Sequence, residues 1–209
     1  MPLDERALRR FDEVLSRPGS PRRLADRGRA LFRAAVDLGT AHAINMRSPA
    51  SFAAAMSLQL PLMQKTETRR ADALNLSRRG FRASEMLLTE LADFLPAEVM
   101  DETLRTLLEI GSKSPSEDCT KALADAANLA DFGVVALLSS SESGDVQRRT
   151  SDVAQAFRLR VEYGYWQSRL RDDFHFDTSR TRAAEALRRG EQIVRWYEEE
   201  LPPAEASLS

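Results

Sequence analysis

A single carboxylate, Asp125, stands in a run of small apolar residues, ALADAANLADFG, spanning positions 122 to 133. At helical spacing its face also carries Ala122, Leu129, Phe132 and Ala136, so the acid points where core residues point. A lone charge in that setting is costly. Asp125 therefore pairs with an arginine such as Arg82 or Arg160, hydrogen-bonds to the start of a neighbouring helix, or binds a metal or ligand. Asn128 and Asp131 follow three and six residues later, and the three line one wall if this helix borders a cleft.

Imidazoles are scarce. His42, in GTAHAINM, is either a ligand or base partnered by Asp37, Asp125 or Asp131, or a partly buried ring satisfied by a backbone carbonyl. His175, in RDDFHFDTS, is flanked by Asp172, Asp173 and Asp177. Those carboxylates suit a hard cation, but equally the acidic lead-in to a helix capped by Asp177 or Thr178. With two histidines and one cysteine, no mechanism needing several imidazoles or a thiolate cluster is available. Gly-rich phosphate loops and H-x-x-x-H spacing are also absent.

Arginine supplies nearly all the basic charge, with lysine only at positions 65, 113 and 121. Arg69, Arg70, Arg78, Arg79 and Arg82 fall on one expected helix, where they could contact a phosphorylated ligand or RNA. Glu67, Asp72 and Glu85 interleave with them, as on a solvated helix face. A net charge of −2 exerts no strong pull on nucleic acid.

The elements that must position these groups read as helices throughout, with no run of period-two alternation. Leu8, Phe11 and Leu15 mark a first helix that stops at RPGSP. Ser20 and Pro21 suit the cap and first residue of a second, running toward Gly39 and through His42 toward Met46. Ser51 to Met63 reads as a buried helix that ends or kinks near Leu60, before Pro61. A charged helix follows, with Leu74, Phe81, Met86 or Leu87, and Leu91 as its core stripe and Gly80 as a costly interior residue or a break. Pro96 opens another, with Val99, Leu104, Leu107 and Leu108 inward. The helix carrying Asp125 extends toward Leu138, and the last third holds Val153 to Arg171 and Thr178 to Leu201. Tyr165, Trp166, Trp196 and Tyr197 serve core packing or an oligomer surface.

At 209 residues the chain suits one domain. The expected organisation is an N-terminal helical arm over 1–18, a helical domain over 20–201 and a disordered tail over 202–209. The charged start, MPLDERALRRFDEVL, lacks the apolar core of an export signal, and no apolar run is long enough for a membrane span. A single cysteine, Cys119, fits a cytoplasmic location.

From about Leu91 to Leu201 the chain resembles the C-terminal half of the HD-domain superfamily, especially small bacterial HD phosphohydrolases. The matching pieces are LPAEVMDETLRTLLEIGS, then DAANLADFG from Asp125, and DTSRTRAAEALRRGEQIVRWYEEEL. The resemblance implies an all-α HD-like domain. It sets Asp125 at the family's distant metal-binding aspartate and offers His42 for its first histidine. The family's His–Asp doublet should fall between Ser51 and Arg70, where SFAAAMSLQLPLMQKTETRR has neither residue, and Ala127 stands where a second aspartate is usual. Gln59, Gln64 and Glu67 are the substitutes at hand, and metal-assisted hydrolysis needs several fixed ligands.

The expectation is accordingly a non-catalytic, metal-free HD-like protein with a remnant cleft at His42, Asp125, Asn128 and Asp131. It would act by contact with another protein or a second copy, or by sensing a small phosphorylated ligand. The alternatives are a phosphohydrolase holding Mn, Mg or Zn through His42 and Asp125, and a nucleic-acid-binding regulator using the arginine-rich helix.

Overall fold

The computed structural model describes residues 3–21, 23–63, 75–132 and 150–200. Every regular element among them is helical, as the sequence pattern requires. Contacts gather into two compact units, residues 1–128 and 129–209.

The first unit begins with α1 (Glu5–Leu15), capped by Asp4, whose Oδ1 accepts the Ala7 N–H at 2.7 Å. The expected N-terminal helical arm packs into this unit's core. Phe11, Val14 and Leu15 are buried, and both Arg17 nitrogens bind the Glu90 carboxylate at 2.6 and 2.7 Å. A helix with so apolar a face gains more by packing than by projecting into water.

Helix α2 (Leu24–Ala41) starts later than the Ser20–Pro21 signal suggests, because Arg23 takes a left-handed conformation, φ 64°, and turns the chain into it. It stops before Met46 for a similar reason. Ala43 adopts φ 55°, which lets the Ile44 N–H return to the Gly39 carbonyl at 2.8 Å and closes the helix.

Helix α3 (Pro49–Ser57) is capped by Ser48, has Pro49 in its first turn and is buried almost throughout. Its alanines at 50, 53, 54 and 55 let neighbours approach closely. Pro61 falls in a short turn of tight helix, Leu60–Met63, where the expected kink lies.

Helices α4 (Leu76–Leu91) and α5 (Ala97–Glu109) form an antiparallel pair joined through the turn at Ala92–Phe94. Gly80 does not break α4. A Cβ there would stand 2.2 Å from the Leu107 carbonyl oxygen, so glycine is what lets the two helices meet. Beyond Ser112–Glu117 the chain enters α6 (Asp118–Ala130), which ends well short of the expected Leu138.

In the second unit, α7 (Thr150–Glu162), α8 (Tyr165–Asp172) and α9 (Asp177–Glu200) enclose an aromatic core. The expected continuous helix from Val153 to Arg171 is split by Gly164, at φ 68°. The bend sets Trp166 inside, where Phe132 meets it edge-on at 4.8 Å and Phe157 packs at 5.5 Å. Phe174, Ala183, Leu187 and Val194 complete this core. Of the two tryptophans, Trp166 is 1% exposed and Trp196 is 63% exposed.

Candidate functional site

Helix α6 buries seven consecutive residues, Ala122 to Asn128. The four alanines among them give α6 a thin waist that neighbours surround, so burial is not confined to one stripe. Asp125 is fully buried and Asn128 nearly so. Both take part in hydrogen-bonding or electrostatic interactions there, which is what a buried carboxylate requires.

The other members of the expected cleft occupy different settings. His42 is the residue at which α2 ends, half-buried, with its N–H bonded to the Gly39 carbonyl at 3.1 Å. Asp131 follows the end of α6 and belongs to the second unit, where its carbonyl accepts Arg169 Nη1 at 3.4 Å. Asp125 and Asn128 thus share a buried helix. Among the described residues, no group of three or more His, Cys, Asp or Glu is arranged to hold a metal ion.

One of the three expected substitute ligands lies among the described residues. Gln59 is buried, its Nε2 donating to the Ala55 carbonyl at 3.3 Å and its Oε1 lying 3.5 Å from Arg79 Nη2. Gln64 and Glu67 lie outside the described residues.

The row of arginines does not form one open cationic face. Arg69 and Arg70 lie outside the described residues. Arg79 turns inward, is 5% exposed, and donates from Nε to the Leu58 carbonyl at 2.8 Å. Leu58 is the C-terminal cap of α3, so this guanidinium is a cross-helix cap placed where the helix dipole favours a cation. Arg82 pairs with Glu85 at 3.0 Å, and Arg78 is exposed. A shallow groove of about 230 Å³ on α4, lined by Arg82, Glu85, Met86, Thr89 and Glu90, is open and of mixed charge. It falls below the roughly 300 Å³ at which pockets begin to enclose a small molecule.

Around His175 the carboxylates are engaged by arginines. Asp172 accepts Arg171 at 2.8 and 2.9 Å, Asp173 accepts Arg169 at 2.6 Å, and Asp177 pairs with Arg180. Asp177 is the first residue of α9 rather than its cap.

The shifts of Glu90 and Cys119 illustrate the electrostatics of the first unit. The Arg17 hydrogen bonds hold the Glu90 carboxyl below the usual range against partial desolvation, helped by the charges of Arg17 and Arg10. Burial pushes the Cys119 thiol up, opposite to what a reactive thiolate needs.

What helical spacing missed is on the outside. Phe81 and Leu108, expected in the core, are 54% and 58% exposed, and Leu88 is 50% exposed. The signal was present: Phe81 lies about 120° round the helix from Leu87, and Leu108 about 100° from Leu107, too far to share a stripe with them.

Comparison with protein-family models, with curated proteins and with solved structures finds no match for this chain.

Proposed function

We propose that this protein is a non-catalytic helical scaffold, HD-like in the order of its C-terminal pieces, that acts through contact with other proteins. The observation that carries the reading is the complete burial of Asp125, the acid the sequence sets among small apolar residues. Hydrolysis at such a residue requires a substrate, a water and several ligands to converge on it. Asp125 instead sits inside an alanine-rich helix with its interactions made within the protein.

Large apolar side chains placed in water support the contact half of the proposal. Phe81, Leu88 and Leu108 in the first unit, and Tyr163, Ile193 and Trp196 in the second, are each at least 46% exposed. Aromatic residues of this kind are the usual anchors of protein interfaces. The nucleic-acid reading has less support, because Arg79 is spent on the Leu58 carbonyl. Among the described residues no helix is long and apolar enough to cross a membrane. The proposed setting is the cytoplasm, which suits a chain whose one cysteine forms no disulfide.

The test is turnover of nucleotides and simple phosphodiesters by the purified chain with Mn²⁺, Mg²⁺ or Zn²⁺ supplied in turn. No metal-dependent turnover is expected. Turnover abolished by both Asp125→Asn and His42→Ala, in variants that retain the wild-type circular dichroism spectrum, would establish a phosphohydrolase and end the proposal.

A further inference from the structure

We draw no further inference here: the strongest candidate, the exposed apolar surface that Phe81, Leu88 and Leu108 give to the α4–α5 helix pair, carries nothing because nothing in the structure shows what covers it.

Discussion

Replacing Gly80 with alanine sets two effects of opposite sign against each other. Alanine in a helix interior is favoured over glycine by about 1 kcal/mol, so intrinsic propensity alone predicts a more stable protein. Against this, the new Cβ would stand 2.2 Å from the Leu107 carbonyl oxygen, 2.6 Å from Ile110 Cγ2 and 3.3 Å from the Leu107 carbonyl carbon. Carbon needs about 3.5 Å from such neighbours. The Ile110 methyl can rotate aside, but the Leu107 carbonyl belongs to the backbone of α5 and cannot. Helix α5 must therefore retreat by about 1 Å, loosening Leu87 and Leu107, both fully buried, and stretching the Ser77–Gly111 bond. Overpacking against unyielding backbone costs about 3 kcal/mol, and subtracting the propensity gain leaves a net loss of about 2 kcal/mol. In urea, with a slope of about 2 kcal/mol per molar, the unfolding midpoint of the first unit should fall by about 1 M. Far-UV circular dichroism during urea titration of wild type and Gly80→Ala makes the measurement. A midpoint that stays or rises refutes the close approach of α4 and α5 at this residue.

Ala43→Gly should act in the opposite direction, raising stability by about 1 kcal/mol in the same titration, because a left-handed residue at φ 55° costs less as glycine. Arg79→Met removes a buried donor and leaves the Leu58 carbonyl without it; a loss of about 2 kcal/mol is expected, and an unchanged melting temperature would contradict the cross-helix cap. Glu90→Gln should cost about 1 kcal/mol at neutral pH, a modest figure because its partner Arg17 is 42% exposed. The Glu90 carboxyl is held below its ordinary value in the folded protein, so its contribution is fully present above the unfolded pKa and disappears as pH falls through the folded one. The stability gap between wild type and Glu90→Gln, followed by thermal melts from neutral to acid pH, should therefore close on acidification; a gap that widens would reverse the assigned sign.

Much of the helical architecture was legible because its determinants are local. Ser48 ahead of Pro49, Pro96 ahead of α5, and the apolar periods of α1 and α9 state their elements in a few consecutive residues, and the structure follows them. Glycine was harder to read. Gly164 ends a helix and Gly80 does not, and the difference lies in backbone conformation at one and a partner helix at the other, neither of which a neighbouring residue type reveals.

The candidate site divides in the same way. Sequence by itself determined that Asp125 would face inward, since a carboxylate among small apolar residues at helical spacing has no exposed stripe to occupy. It also determined that the chain is helical and that few groups could serve as ligands. Only the tertiary structure decided that Arg79 points in and caps α3 while Phe81 and Leu108 point out. Periodicity reports which residues share a helix face, whereas the choice of face to bury depends on which neighbours arrive and how closely they can pack. Here Gly80 and the alanines of α3 set those distances, and the exposed flank of α4 and α5 is what remains once they are satisfied.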